Sequence, residues 1–445
     1  MPAAVRRREP RAGANNPTHF EAAKQVAAQF QRDEWRFDTD RKAWYARNPA
    51  SGVWQIDGLN LAMANCFHAA GSYDPSDKGQ LANFLMKYCQ ADQELTVRSE
   101  QWDRNPEVLG TPRCCIDLSR PDWQGIGDHH VTMSTAATPA AGGEEEWERF
   151  VLECCGGNIE LARFLQRWAG YALTGYTTEH CILFVYGPGG NGKSVFVEAL
   201  AHAWGQYSRA LPMDALMQSR GERHPAEIAM LKGVRLAVAT ETEEGRRWDE
   251  AKVKQMTGGD KISARFMREN WFEFTPTHKL LVVGNHAPQL GVVDDGMRRR
   301  LFIVPFLNKP AVPDPGLLAK LLAHPGAILW WAMEGYRKWE EAGRKLNPPA
   351  CVLDATRTYF EAQDTVGEWL DDCAELDPNA YEPTRVLWAS WKRHCDANGL
   401  AAKSSKRLTD DLLRREGLRR YRTAGTRGIA GLRLRADTHT MQVPD

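Results

Sequence analysis

Residues 181–204 constrain this chain more than any others. Cys181-Ile182-Leu183-Phe184-Val185-Tyr186 is an apolar run suited to a buried strand. Gly187-Pro188-Gly189-Gly190-Asn191-Gly192-Lys193-Ser194 follows at once, and Ser194 to Trp204 has helical spacing. A strand, a loop and a helix in that order are the setting in which the pattern G-x-x-x-x-G-K-S/T cradles phosphates. Glycines let backbone N–H groups curl around an anion, and the helix N-terminus adds partial positive charge. In this arrangement Lys193 reaches the outer phosphates of a nucleoside triphosphate and Ser194 places its hydroxyl on magnesium. ATP and magnesium are therefore the expected cofactors.

Hydrolysis needs an acid beside the metal. Arg235-Leu236-Ala237-Val238-Ala239-Thr240-Glu241 is an apolar strand ending in a carboxylate, with Thr242, Glu243 and Glu244 behind it. One glutamate is expected to orient magnesium and one to polarise the attacking water, Glu241 being the first choice and Glu243 the second. His278 to Gly284 reads as a third strand, and Asn285 at its end can contact the terminal phosphate or the lytic water; a turn before Pro288 is the alternative. Arg298-Arg299-Arg300 precedes a further strand, Leu301 to Phe306. Arginine delivered to a neighbouring site stabilises charge on a transferring phosphoryl group; a solvated basic run is the alternative.

The sequence of 445 residues suggests two to four domains. Residues 1–16 read as a disordered tail without a secretory core, residues 17–132 as an α+β domain and residues 133–145, small and polar, as a linker. Residues 146–180 carry two helices broken at Gly156-Gly157, a helical collar. Residues 181–345 alternate strand and helix, an α/β pattern with a central sheet. Residues 350–380 are a helical connector, with one helix from Val352 to Leu370. Residues 381–445 form a small basic module. From Arg385 to Arg435 there are 14 Lys or Arg against four Asp or Glu, on a chain of zero net charge, which points to a polyanion-binding surface. Helix Thr384–Asn398, helix Ser404–Glu416 and a Gly-turned basic hairpin match a winged helix, with Lys406 and Arg407 at the start of the recognition helix; a packing module is the alternative. No zinc spacing occurs among the ten cysteines, and reduced thiols in a cytoplasmic protein are expected. His129-His130 reads as loop. No stretch approaches the roughly 18 apolar residues of a membrane span.

The order of these pieces resembles that of superfamily 3 helicases. More closely, it resembles the helicase half of phage and plasmid primase-helicases, the group that includes the poxvirus primase-helicase. The matching residues are the loop at 187–194, Ala-Thr-Glu-Thr-Glu-Glu at 239–244, Lys254-Gln255-Met256-Thr257-Gly258-Gly259-Asp260, Val283-Gly284-Asn285-His286-Ala287-Pro288, and Arg299-Arg300 before Val304-Pro305-Phe306. Similarity extends upstream through Trp102 to Pro106, Ile116 to Leu118 and Leu165 to Tyr176. The resemblance implies an AAA-like phosphate-loop ATPase core with a helical flanking domain and a C-terminal winged helix. It also implies a ring, usually a hexamer, travelling 3′-to-5′ on single-stranded DNA. Glu241 then belongs to the second nucleotide motif, Asn285 to the sensor and Arg299 or Arg300 to the finger. Where the family often has an aromatic before the paired arginines, this chain has Arg298, which leaves the finger's register open.

The same family carries a channel hairpin between Asp260 and Pro276. Here Lys261 to Met267 and Trp271 to Phe274 read as its strands and Arg268-Glu269-Asn270 as its tip. A basic, aromatic hairpin follows a strand without reading its sequence. Lys261, Arg265 and Arg268 are the expected DNA contacts, a purely structural hairpin the alternative. The expected function is an ATP-dependent replicative DNA helicase of a phage, prophage or plasmid in the bacterial cytoplasm, acting on single-stranded and forked DNA beside a separate primase. The alternative is an origin-binding or regulatory ATPase that uses ATP for assembly.

Overall fold

The computed structural model describes residues 17–73, 77–123, 130–218, 226–240, 246–268, 270–290, 294–310, 312–398, 400, 402, 404–423 and 425–435. Glu241, Glu243, Glu269 and His129 lie outside them, as do residues 1–16. Helix α1 (Pro17–Arg32) buries Ala22, Ala23, Val26, Ala27 and Phe30, a stripe with helical spacing. It packs with α2 (Leu61–Tyr73) and α3 (Lys78–Ala91) on a sheet of β1 (Trp35–Asp38), β2 (Ala43–Arg47), β3 (Trp54–Ile56) and β4 (Thr96–Val97). The expected hairpin is present: Tyr45 faces Ile56 and Arg47 faces Trp54. Asp38 is fully buried because it accepts hydrogen bonds from the Asp40 and Arg41 N–H groups, Ser99 Oγ and Trp102 Nε1. His130 packs its ring against Trp54 and Trp102. Strands β5 (Val108–Gly110) and β6 (Cys115–Asp117) form a separate hairpin.

Residues 133–143 form a strap rather than a free linker. Thr135 N–H donates to Gly110 C=O, Ala136 N–H to Ala203 C=O and Ala140 N–H to Gly326 C=O. The residues are small because the strap runs against other backbones: a Cβ on Gly110 would collide with the Met133 carbonyl, and one on Gly205 would lie 2.6 Å from the Ala136 nitrogen. Helix α4 (Glu144–Cys154) ends at Gly156 and Gly157, both left-handed, and Asn158 caps α5 (Ile159–Leu173) by accepting from Leu161 N–H.

Five strands then form one parallel sheet; four are apolar runs, and the short edge strand Ser208–Ala210 leaves Arg209 and Ala210 exposed. The five are β7 (Ile182–Tyr186), followed by α6 (Lys193–Trp204); β8 (Ser208–Ala210), followed by the short α7 (Ala226–Ala229); β9 (Leu236–Thr240), followed by α8 (Glu250–Thr257); β12 (Lys279–Gly284); and β13 (Leu301–Pro305). The hairpin β10 (Ile262–Ala264) and β11 (Phe272–Phe274) precedes β12, and the single turn α9 (Asp295–Arg298) precedes β13. The spatial order is β13-β7-β12-β9-β8, so β12 lies between the strand that feeds the glycine loop and the strand that leads to Glu241. Helix α10 (Leu317–Leu322) and α11 (Pro325–Glu341) are split at Pro325, as its missing N–H requires. Helix α11 touches α5 backbone to backbone, since a Cβ on Gly170 would collide with Tyr336 N and one on Gly335 with Gln166 O. The sheet edge at β13 is covered by α12 (Ala350–Gln363), whose Thr356 Oγ1 accepts from Ile303 N–H.

The expected single helix from 352 to 370 is two. Asp364 ends α12 and caps α13 (Thr365–Cys373) through Gly367 N–H, while Arg415 holds the same carboxylate at 2.5 Å. Helix α13 belongs to the C-terminal module with β14 (Ala374–Pro383), α14 (Thr384–Ala397), α15 (Ser405–Leu412), β15 (Arg419–Thr423) and β16 (Thr426–Leu434). The antiparallel sheet order is β14-β16-β15 over a core that includes Val366, Trp369, Leu387, Trp391, Leu408, Leu412, Ile429 and Leu432. The module therefore starts near 365 rather than 381. Strand β14 escapes sequence reading because it contains Pro378 and three acids and leaves Leu376 exposed, the opposite of an apolar alternation.

Candidate functional site

The glycine loop sits on the C-terminal edge of the parallel sheet and is shaped by what cannot fit. At Gly187 a Cβ would collide with Phe306 O and Asn191 Nδ2; at Gly192, in the left-handed region, it would lie 2.5 Å from Cys154 Sγ and 3.0 Å from Phe150 Cε2. Gly189 and Gly190 project into open space. Lys193, the first residue of α6, is buried, and its Nζ donates to Gly187 O (2.6 Å), Pro188 O (3.1 Å) and Asn191 Oδ1 (2.9 Å). Asn191 in turn donates from Nδ2 to Phe306 O, so the end of β13 anchors the loop. Burial, then the charge of Lys309, lowers the Lys193 pKa. Ser194 is exposed on the first turn of α6. Asn191 is the participant the motif does not flag, because its position is a variable x in the pattern.

Strand register sets the rest of this edge. Tyr186 pairs with Gly284, so Asn285, exposed, stands beside the start of the loop. Val283 pairs with Thr240, the last described residue before Glu241. Lys193, Ser194 and Asn285 thus share the C-terminal edge.

The arginines stand on the opposite edge. Leu301 pairs with Ile182, so Arg300 lies beside the start of β7 while the glycine loop lies past its end. Five residues of strand separate the two levels, about 16 Å at ~3.3 Å per residue. Within the run the three guanidiniums differ. Arg298 stacks over the Phe360 ring at 5.1 Å. Arg300 is 9 % exposed; its Nε donates to Thr257 Oγ1 (3.1 Å) and its Nη1 to Gly296 O (2.8 Å). Arg299 is exposed; its backbone N–H donates to Asp295 O, and its side chain makes no hydrogen bond or ion pair among the described residues. The turn that carries it is capped by Asp294, which accepts from Met297 N–H at 2.8 Å and pairs with Lys254 at 2.5 Å.

The hairpin is shorter than its sequence suggests. Among the described residues only Ile262, Ser263 and Ala264 pair, with Phe274, Glu273 and Phe272, so Arg265 to Arg268 and Trp271 lie beyond the paired strands. Arg265 lies over the Trp271 ring at 4.9 Å and Phe266 stacks on Phe272 at 5.6 Å. These contacts bend the apolar residues into an exposed tip, with Met267 67 % and Trp271 59 % exposed. Lys261, Arg265 and Arg268 are all exposed, and Arg268 adopts a left-handed φ of 63°. In the C-terminal module Ser404 caps α15 by accepting from Arg407 N–H, and Lys406 and Arg407 face outward in its first turn. Arg419, Arg422 and Arg427 on the β15–β16 hairpin are exposed, beside a stacked Tyr381–Tyr421 pair 4.2 Å apart.

No group of three or more His, Cys, Asp or Glu side chains that could hold a metal occurs among the described residues. No described helix is long and apolar enough to cross a membrane.

Comparisons with known proteins fall on these elements. A family of unknown function (DUF5906) matches residues 185–300, from the end of β7 to the arginine run. A protein of Acanthamoeba polyphaga mimivirus named "Putative helicase" is 32 % identical over 223 residues, covering 44 % of this chain and 23 % of the relative. One of the same name from Frog virus 3 (isolate Goorha) is 25 % identical over 238 residues, covering 49 % and 24 %. The chain spans about a quarter of the length of these curated relatives. In fold it is similar to the apo C-terminal region of NrS-1. Two such structures give TM-scores of 0.54 and 0.53 at 8 % and 10 % identity, over 92 % and 94 % of this chain and 99 % and 100 % of theirs.

Proposed function

We propose that this chain is the motor of an ATP- and magnesium-dependent DNA helicase that works as a ring, serving replication of a phage, prophage or plasmid, with an AAA-like core and a C-terminal winged helix. One observation carries the reading: the nucleotide residues and an exposed arginine occupy opposite edges of one sheet. Lys193, Ser194 and Asn285 stand at one edge. Arg299 stands at the other, out of reach of its own loop and with its side chain free of partners among the described residues. Such a surface is completed by a second copy placed head to tail, and head-to-tail contacts close into rings. The relatives named as helicases support the choice of reaction, and the exposed Arg265, Met267, Arg268 and Trp271 support nucleic acid as the track.

In this reading Lys193 exchanges the carbonyls of Gly187 and Pro188 for phosphate oxygens, and the N–H groups of 189–194 close on the anion. The donor set suits magnesium, which prefers a hydroxyl, a carboxylate and water oxygens to a cage of protein ligands: Ser194 and Glu241 would hold it. When bound, the ion neutralises charge on the outer phosphates. Glu243 takes the proton of the attacking water and Asn285 orients that water. Arg299 of the neighbouring copy meets the charge that develops in the transition state; Arg300, bound within its own subunit, is assigned the support of the turn. Hydrolysis moves the hairpin, with Lys261, Arg265 and Arg268 on the strand, while Lys406 and Arg407 meet duplex at the C-terminal module. The test is Lys193→Ala: ATPase activity is abolished while DNA binding survives, and normal turnover in that variant overturns the reading.

A second reading, an origin-binding ATPase that assembles without unwinding, draws on the C-terminal module, whose helix–strand–helix–helix–strand–strand order presents α15 with exposed basic residues. Strand displacement on forked DNA separates the two: hydrolysis without displacement, with tight binding to one duplex sequence, favours the second.

A further inference from the structure

The stretch Lys254 to Asp260 has so far no task. Its residues lie on α8 and the turn after it, between the strand that leads to Glu241 and the channel hairpin. Two polar side chains in the last turn of this helix, those of Lys254 and Thr257, both end on the arginine turn. Lys254 Nζ meets Asp294 Oδ2 at 2.5 Å, and Asp294 Oδ1 caps the turn at Met297 N–H. Thr257 Oγ1 accepts from Arg300 Nε at 3.1 Å and itself donates to Val253 O at 2.7 Å, which fixes its rotamer. Arg300 closes the loop by donating to Gly296 O. The side chain of Lys254 lies across Gly296, its Cε 2.8 Å from where a Cβ would stand. Burial raises the Asp294 pKa, but the Lys254 bond and the Met297 N–H outweigh it and hold the carboxyl below its ordinary value. Arg299 is the residue between two that are tied down: Arg298 by Phe360 and Arg300 by Thr257.

We propose that Lys254 is a positioning residue for catalysis in the neighbouring subunit: with Asp294 it braces the turn that presents Arg299 across the interface. The inference rests on the shared-site reading. It explains why a basic residue on α8 sits far from its own subunit's phosphate loop, and it ties the arginine to the helix that continues into the channel hairpin.

The test is subunit complementation. Lys254→Met alone lowers kcat at least ~10-fold, less than the loss of a finger arginine itself, with ATP binding and the KM for ATP unchanged, because its own phosphate loop is intact. Lys193→Ala alone is inactive. Mixed in equal amounts, the two regain about a quarter of wild-type turnover, since in a random ring one interface in four joins a sound loop to a sound arginine. Lys254→Arg, which keeps the ion pair, retains most activity. Arg299→Ala mixed with Lys193→Ala is the control. If it complements and Lys254→Met does not, the brace is wrong and the shared site stands. If neither complements, the shared site itself is wrong. Should Lys254→Met fail to fold, Asp294→Asn cuts the same contact from the other side and is held to the same outcomes.

Discussion

Two buried lysines stand at opposite ends of adjacent strands and do almost the same thing. Lys193, after β7, donates to Gly187 O, Pro188 O and Asn191 Oδ1. Lys279, at the start of β12, donates to Thr174 O, to Tyr176 O at 3.2 Å and to Thr277 O at 2.9 Å, beneath the Tyr171 ring. Burial lowers both pKa values, that of Lys279 further. The surroundings differ. Around Lys193 the loop tip is exposed and Gly189 and Gly190 face open space, so an anion can replace the carbonyls. Around Lys279 two of the carbonyls follow the end of α5 and the third, of Thr277, precedes β12, while Arg235, buried, satisfies Leu173 O and Val108 O beside it. In the proposed function the first ammonium takes a ligand; the second, with Arg235, satisfies the carbonyls at a buried helix end. Three oxygens around a buried lysine make a binding site only where solvent has a way in.

The comparison breaks most clearly through paired substitutions. Lys193→Met should lower ATP turnover by about a thousandfold or more, ~4 kcal/mol at the transition state, and leave the melting temperature nearly unchanged. Lys279→Met should do the reverse: it strands three buried carbonyls, costs ~3 kcal/mol of stability, and leaves the KM for ATP of the folded protein unaltered. Thermal unfolding and steady-state kinetics on both variants decide this; equal losses in both assays would erase the distinction. A smaller contrast lies within the loop. Gly187→Ala should cost ~2–3 kcal/mol in nucleotide binding, because the methyl must displace Phe306 O or Asn191. Gly189→Ala, with nothing near it, should bind within twofold of wild type; titration with a fluorescent ATP analogue reads both.

The sealed end also carries a pH slope. Burial, then the charge of Lys279, pushes the neighbouring His278 down to about 3. The folded chain therefore refuses a proton that the unfolded chain accepts near 6.5. Stability is unaffected above that pH and falls by about 1.4 kcal/mol per pH unit between 6.5 and 3. Denaturant midpoints of wild type and His278→Leu over this window should differ in slope; parallel lines would show that His278 is protonated in the fold.

What sequence could deliver follows the range of the interactions. The loop, its strand and its helix were legible because each is local, and the apolar runs of β7, β9, β12 and β13 declare buried strands by themselves. The brace was not legible: Lys254 and Asp294 are 40 residues apart in the chain, and nothing in either neighbourhood encodes the other. Three consecutive arginines carry identical chemistry, and only the turn at 295–298 decides that Arg300 points in and Arg299 out. The strap at 133–143 read as a linker because small residues serve flexible chains and close backbone contacts equally well. Strand β14 was missed because pairing with β16, not its own pattern, makes it a strand.

The seam between α5 and α11 has a mechanical consequence. Gly170 and Gly335 place backbone on backbone, and side chains lock the seam on either side: Gln166 donates to Trp331 O and accepts from Lys338 Nζ, and the Tyr171 ring lies 5.2 Å from Trp339. Sliding one helix along the other would break these contacts together in a close-packed interior. The two helices therefore turn as a single stiff piece, and in the proposed ring any stroke is taken up elsewhere than along this seam.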